Sequence, residues 1–333
     1  EYFQFPAGQS EIPKEFLERS RLNGFIDISV PNNLHVWFAK QAGDKNVIIE
    51  KPLSGSLEGV CEFERHISEL RSNGSFNGRI MGDAEHYSYY GNVKEYMLNI
   101  DKYVNKEYEN DRLGRIKKVE LYILENEDFS SKRNQEIIEV EKSGGGIWLD
   151  TGIHTIAFLR NLGAKINYQR MYVQPYKAND SRIRDDKYGE SGMHTGFCVS
   201  GKYFVDGCNV NIKVGKCSSK KEKVFIMHHE NGRVELNIVE KSLKIFNRNN
   251  ELIEPLQYFK EDAFYNVLKD FRDCVIRGEQ PFTSIDMAIG NCKDNFSIRQ
   301  KALPLIKLNN GRFFDEFCDE QYVEFEKALP KIS

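Results

Sequence analysis

Asp150 and His154 stand four residues apart in the stretch Gly144-Gly145-Gly146-Ile147-Trp148-Leu149-Asp150-Thr151-Gly152-Ile153-His154. On a helix that spacing puts both side chains on one side. A carboxylate that orients and charges an imidazole is the usual arrangement for a general acid or base near neutral pH. The three glycines let the backbone approach a ligand closely. The same residues also admit a structural account, with Asp150 capping the helix and His154 satisfied in the core. A second candidate is Glu50-Lys51-Pro52, directly after the apolar Val47-Ile48-Ile49. Ionisable pairs are seldom left at the end of a buried strand without a task. The Lys51 ammonium could hydrogen-bond a substrate oxygen, with Pro52 fixing the turn, unless Glu50 and Lys51 merely begin the next loop. The third is Pro31-Asn32-Asn33-Leu34-His35, a polar turn closing the apolar run Phe25–Val30. Open α/β sheets bind ligands at the carboxyl ends of parallel strands, although Pro-Asn turns also simply terminate strands.

The elements that must position these residues follow from periodicity. Phe25–Val30 reads as a buried strand, His35 to near Gly43 as a helix, and Val47–Ile49 as a second strand. Ser56–Leu70 is a helix with Val60, Phe63, Ile67 and Leu70 on one face. That alternation predicts a doubly wound α/β unit. After Gly78-Arg79-Ile80-Met81 the pattern changes. A helix is expected over Val93–Val104, and a strand over Ile116–Leu124. Further strands are expected at Met171–Gln174, Gly196–Ser200, Val210–Val214, Val224–His229, Arg233–Ile238 and Ser242–Phe246. Glu230-Asn231-Gly232 and Asn247–Asn250 are turn signals between the later ones. A second, α+β domain on a large, open, mainly antiparallel sheet is the expectation. Residues 1–82 form the first domain and 83–333 the second. A helix over Ala263–Arg277, with Phe264, Val267, Leu268, Phe271 and Val275 as its apolar stripe, is assigned to pack back on the first domain.

Composition narrows the function classes. The 333 residues are 40% hydrophobic and 29% charged, enough for one large or two medium globular domains. A net charge of -3 argues against a nucleic-acid protein, whose affinity rests on clustered Lys and Arg. The Lys-rich run Lys216–Lys223, interrupted by Glu222, reads as a solvated loop or strand end. No apolar run approaches the ~20 residues needed to cross a bilayer, and neither an initiator Met nor a signal peptide opens the chain. Cys61, Cys198, Cys208, Cys217, Cys274, Cys292 and Cys318 are odd in number and contain no CxxC pair. They argue against a disulfide framework or a zinc site and read as reduced thiols of a cytoplasmic protein. His228-His229 is the only His pair, and strand neighbours face opposite sides, so no metal site is expected.

In this order, the three constellations resemble the glucose-fructose oxidoreductase/inositol dehydrogenase/rhizopine-catabolism family. Its pattern is a strand ending in Pro-Asn-x-x-His, then Glu-Lys-Pro-Leu, then Gly-Gly-Gly…Asp-x-Gly-x-His. Here these are Pro31–His35, Glu50–Leu53 and Gly144–His154. Leu113-Gly114-Arg115-Ile116 and Asp270-Phe271…Arg277-Gly278-Glu279-Gln280-Pro281 extend the likeness over most of the chain. The resemblance implies a Rossmann-type domain followed by the α+β domain. It also implies NAD(P)-dependent hydride transfer to or from a secondary alcohol or ketone of a sugar, sugar derivative or cyclitol. Lys51, Asp150 and His154 would be catalytic. Ser29, Pro31, Asn32, His35, Glu50 and Lys51 would line the nicotinamide half of the cofactor site. His86, Tyr87, Trp148 and Asp150 would contact substrate, and the cluster Tyr87, Tyr89, Tyr90 would stack on a sugar or pack in the core. A homodimer or homotetramer through the second-domain sheet is also implied, with no nucleic-acid or membrane partner.

The family opens with a strand and a Gly-x-Gly-x-x-Gly turn for the pyrophosphate. Before Phe25 this chain has only Gly8 and Gly24. On the order of 60 residues carrying that half of the fold are therefore expected ahead of Glu1, which leaves NAD and NADP both open. Pro13–Asn23 would be the helix entering the Pro31 strand. A second resemblance, to glucose-6-phosphate dehydrogenase, rests on Glu50-Lys51-Pro52, His66-Ile67-Ser68 and Glu85-His86-Tyr87…Lys94, but that family lacks the Gly-Gly-Gly…His pattern. A non-catalytic dinucleotide-sensing regulator on the same scaffold is the alternative from another class. Such a sensor has no use for Lys51, Asp150 and His154 together.

Overall fold

Three short strands, the second and third buried on both faces and the first exposing Asp27, make the first sheet of the computed structural model. The structure describes residues 24–105, 107–108, 111–126, 146–176, 192–216, 221–254 and 257–308. It divides into two units, Glu1–His86 with Phe264–Lys293, and Tyr87–Ala263 with Asp294–Ser333. The expected helix at Pro13–Asn23 lies outside the described residues.

In the first unit β1 (Ile26–Ile28), β2 (Val47–Ile49) and β3 (Met81–Asp83) lie parallel in the order β1-β2-β3. Between them run α1 (His35–Gln41) and α2 (Leu57–Ser72). The α2 start is set by Ser56, whose hydroxyl accepts the Gly59 N–H at 3.1 Å. Val60, Phe63 and Ile67 of α2 are buried, as their spacing requires. Residues 264–277 of α6 (Ala263–Arg277) bury Val267, Phe271 and Cys274, and Phe271 meets Phe25 edge-on at 5.1 Å. The expected stripe is corrected here: Phe264 and Leu268 are 51% and 42% exposed. The helix turns inward a face displaced from the expected one, which keeps Val267 and Phe271 and adds Cys274 in place of Phe264 and Leu268.

β3 is held on its outer side by residues 281–284. The Asp83 N–H donates to Thr283 O at 2.9 Å, and the Thr283 hydroxyl returns a 2.5 Å bond to Asp83 O. Gly82 permits this approach. A Cβ there would lie 2.8 Å from Pro281 Cγ, 3.0 Å from Thr283 O and 3.1 Å from Phe271 Cε2. β3 ends on the buried Asp83, whose Oδ1 has no hydrogen-bond partner among the described residues. Burial, reinforced by the nearby Glu85 and Glu50 carboxylates, raises its pKa well above the usual value, against the opposing pull of Lys51.

The second unit is built on an eight-stranded sheet. Its strands are β6 (Ile116–Leu124), β7 (Lys165–Tyr176), β8 (Gly192–Ser200), β9 (Phe204–Gly215), β10 (Glu222–His229), β11 (Gly232–Asn237), β12 (Ser242–Asn247) and β13 (Gln257–Tyr258). The order is β13-β12-β11-β10-β6-β9-β8-β7, with β6 and β9 parallel and every other pair antiparallel. A short ribbon, β4 (Glu107–Tyr108) with β5 (Asp111–Arg112), precedes it. Alternation sorts β6 cleanly: Val119, Leu121 and Ile123 are buried, and Glu120 points to the other face, 2.6 Å from His228 Nε2. His229, next along, turns inward to bond Gly114 O at 2.7 Å and the Tyr96 hydroxyl at 3.0 Å. Burial drives its pKa down to about 4, so it is a neutral core histidine.

The helix expected over Val93–Val104 is two helices, α3 (Gly91–Leu98) and α4 (Ile100–Asn105). They part at Asn99, whose side chain donates to Glu95 O at 3.0 Å and competes with the main-chain ladder. α5 (Ile153–Asn161) buries all of its first seven residues, with Phe158 against Phe225 at 4.9 Å. α7 (Ile285–Leu308) closes the described chain. Among the described residues no helix is long and apolar enough to cross a membrane.

Two outcomes follow. Gly82→Ala should cost about 1–3 kcal/mol by overpacking, read as a lower urea midpoint at unchanged slope. Asp83, raised in the fold, stabilises below the ordinary carboxyl value and loses that contribution as pH climbs through its folded pKa. The parent should therefore lose stability relative to Asp83→Asn as pH rises from the ordinary carboxyl range through the raised folded value; parallel curves for the two proteins would exclude this account.

Candidate functional site

The carboxyl ends of β1, β2 and β3 carry the first group of candidates. After β1 the Ser29 hydroxyl donates to Asp27 Oδ1 at 3.0 Å, and the Leu34 N–H closes the turn onto Pro31 O at 2.8 Å. Asn32 is half-buried in that turn. His35, buried at the start of α1, sits with Nδ1 2.9 Å from Pro52 O and Nε2 2.7 Å from Val30 O. It thus ties the turn after β1 to the one after β2, where the Lys51–Pro52 peptide is cis. Both partners are carbonyl oxygens, which only accept, so a neutral ring satisfies one of them with its single N–H. Burial lowers the His35 pKa, and the Pro52 and Val30 carbonyls oppose that.

Glu50 and Lys51 are half-buried just beyond β2, and burial raises the Glu50 carboxyl against the pull of Lys51. β3 ends on Asp83, and beyond it come Glu85, also buried, and His86, whose ring stacks on Phe264 at 4.3 Å and 17°. The first unit therefore gathers Ser29, Pro31, Asn32, His35, Glu50 and Lys51 at one sheet edge, as Pro31–His35 and Glu50–Pro52 indicate. Asp83 was missed. Its signal is an acidic residue ending an apolar strand, the same signal that marks Glu50.

The second unit holds the other group. Gly144 and Gly145 lie outside the described residues, and Gly146 has a φ of 64°. Trp148–Gly152 form a single π-helical turn that runs into α5, a feature frequent at functional sites. Asp150 is in that turn and the buried His154 is in α5, so a wide turn separates them, where the sequence implied an ordinary helix start. Trp148 is fully buried and donates its indole N–H to Asn295 O at 3.0 Å. Gly152 sits against its ring, where a Cβ would come within 2.6 Å. The indole thus packs the turn that carries Asp150.

Tyr87 is buried with its ring stacked on His154 at 3.9 Å and 17°, and with Tyr90 edge-on behind it at 5.4 Å. Lys223 Nζ lies 5.4 Å from the Tyr87 ring centre. Lys216 and Lys223 both pair with Glu125, and Lys216 Nζ is also 3.6 Å from Asp150 Oδ2. This corrects the expectation of a solvated run over Lys216–Lys223. The two lysine side chains are only 8% and 14% exposed, because each meets a carboxylate at its strand end. Burial alone would raise the Glu125 carboxyl, but Lys216 and Lys223 hold it down to about 2. Nothing in the local sequence marks Glu125; its role comes from strand pairing. Among the described residues no group of three His, Cys, Asp or Glu is placed to hold a metal ion.

No family model matches the sequence, and no curated protein matches it. Solved structures do. An inositol dehydrogenase homolog complexed with NAD+ from Azotobacter vinelandii superposes with a TM-score of 0.67 at 14% identity, covering 87% of this chain and 80% of that one. Levoglucosan dehydrogenase in complex with NADH and levoglucosan gives 0.66 at 15% identity, with the same coverage. UDP-N-acetylglucosamine 3-dehydrogenase from Acidithiobacillus ferrooxidans gives 0.62 at 14%, covering 83% and 77%. At such identity the likeness is one of fold, and the fold is that of the sugar and cyclitol dehydrogenases the motifs led us to expect.

Proposed function

We propose that this protein is an NAD- or NADP-dependent oxidoreductase acting on a secondary alcohol or ketone of a sugar, sugar derivative or cyclitol. The observation that carries this reading is the Tyr87–His154 stack, with Asp150 on the turn that precedes His154 in the second unit, on a fold shared with sugar dehydrogenases. A buried imidazole stacked on a tyrosine ring, with a carboxylate on the turn before it, suits proton exchange with a hydroxyl.

The residues at the carboxyl ends of β1 and β2 fit the nicotinamide end of a dinucleotide. The Asn32 amide and Ser29 hydroxyl offer polar partners to a carboxamide or ribose, Pro31 and His35 shape the turns, and Glu50 and Lys51 supply charge. When bound, the nicotinamide accepts or supplies the hydride. Lys51 would hydrogen-bond the substrate oxygen and stabilise its developing negative charge. His154 would take or return the hydroxyl proton, and Asp150 would hold His154 and contact a neighbouring hydroxyl. His86 and Tyr87 would flank the substrate ring. We also infer a cytoplasmic homodimer or homotetramer formed through the eight-stranded sheet, for which light scattering should return two or four chain masses.

With NADH and NADPH as fluorescent probes, titration should show saturable binding of at least one. With myo-inositol, levoglucosan and UDP-N-acetylglucosamine as trial substrates, at least one should reduce the cofactor. Lys51→Met and His154→Asn should each lower kcat by about 10²–10⁴, while His154→Asn leaves NADH affinity within about twofold. Absence of NADH and NADPH binding alike would defeat the proposal.

A further inference from the structure

Six side chains of the second unit form a ring, linked by five contacts and closed by the main chain between Asp150 and His154. Asp150 faces Lys216, Lys216 pairs with Glu125, Glu125 with Lys223, and Lys223 lies over Tyr87. Tyr87 stacks on His154, and His154 returns to Asp150 four residues back along the chain. The sheet builds this ring. β6 lies between β9 and β10, and Leu124 pairs with Gly215 on one side and Glu222 on the other. The next residue, Glu125, is fixed by its N–H donating to Gly215 O at 2.8 Å. Lys216 follows Gly215, and Lys223 follows Glu222. Three adjacent strands thus deliver one carboxylate and two ammonium groups to the same sheet end.

We propose that Glu125, Lys216 and Lys223 are positioning residues that hold Asp150 and the Tyr87–His154 pair, with Glu125 setting both arms at once. Two largely buried ammonium groups against one carboxylate leave an excess positive charge, and burying that charge is costly. Asp150 supplies the second negative charge, so Lys216 draws Asp150 toward the sheet. Lys223 presents its other side to the Tyr87 ring, and so fixes the ring on which His154 lies. A buried ion pair adds little net stability compared with apolar packing, which fits a cluster that sets geometry. The importance of that geometry for turnover rests on the hydride-transfer reading above; the ring itself does not.

The test reads His154 directly, without cofactor or substrate. The titratable groups gathered about it are Asp150 on the preceding turn, Tyr87 with Tyr90 behind it, and Glu125, Lys216 and Lys223 at the sheet end. In histidine Cε1–H NMR spectra of the full chain, His154 is assigned from the signal lost in His154→Asn. Glu125→Gln removes a negative charge and should move the His154 titration midpoint down by about 0.5 unit or more, whereas Lys223→Met should move it up. If the ring stays neutral across the accessible range, its Cε1–H shift at fixed pH, set by the stacked Tyr87 ring, should change in both variants. A His154 signal and titration unchanged in both, or displaced in the same direction in both, would overturn the proposal. Lys223→Met keeps the Glu125–Lys216 pair and carries the test by itself should Glu125→Gln fail to fold. Failure to turn over any trial substrate would strike the functional reading and leave this result standing.

Discussion

Charge cannot be buried alone, and in this protein that constraint decides what stands at the ends of the strands. At the sheet end of the second unit, two lysines are kept out of water by one carboxylate, with a second close by. At the edge of the first unit the balance tips the other way. Glu50, Asp83 and Glu85 crowd Lys51, and the buried Asp83 has its pKa raised and so favours the neutral form. Both places have the polar character that catalysis needs and that core packing would avoid. Each is tolerated because a sheet delivers the compensating groups from neighbouring strands.

The apolar framework exists to make those deliveries accurate. Parallel pairing of β1, β2 and β3 brings three turns to one edge, and His35 locks two of them through main-chain carbonyls. In the large sheet the parallel β6–β9 pair and the antiparallel β6–β10 pair share β6, which lets one residue beyond β6 address partners from both sides. The covered face of that sheet supports α5 through Phe158 and Phe225, and α5 carries His154.

What the sequence disclosed follows the reach of local signals. Ser56, Val60, Phe63 and Ile67 announce α2 because capping and a 3.6-residue period act within a few residues. The strand Ile116–Leu124 and the turn at Glu230–Gly232 are legible for the same reason. Asp150 and His154 are conspicuous by their spacing. The stack of Tyr87 on His154, and the pairing of Glu125 with Lys216, join residues far apart in the chain, and no period connects them. The stripe of α6 fails differently. The expected set 264, 267, 268, 271, 275 and the buried set 267, 271, 274 overlap on one side of the helix, and only packing decides that Cys274 turns inward while Phe264 and Leu268 stay out. Asn99 shows a third kind of failure, in which one side-chain hydrogen bond splits a helix whose period continues across it.

The π turn at Trp148–Gly152 has a bearing on how this segment can change length. A π turn holds one more residue per hydrogen-bonded loop than an α turn, so it works as a phase adjuster between the loop before it and α5. Deleting a single residue there would let the backbone relax into regular α-helix without tearing α5 from the core. The residues upstream would keep nearly their direction, since the wide turn takes one more residue through about the same angle as an α turn, but Asp150, inside the turn, would be carried away from Lys216 while His154 stayed in place. The helix would survive the shortening and the arrangement of charges would not, which makes the extra residue a memory of the site's geometry written into the main chain.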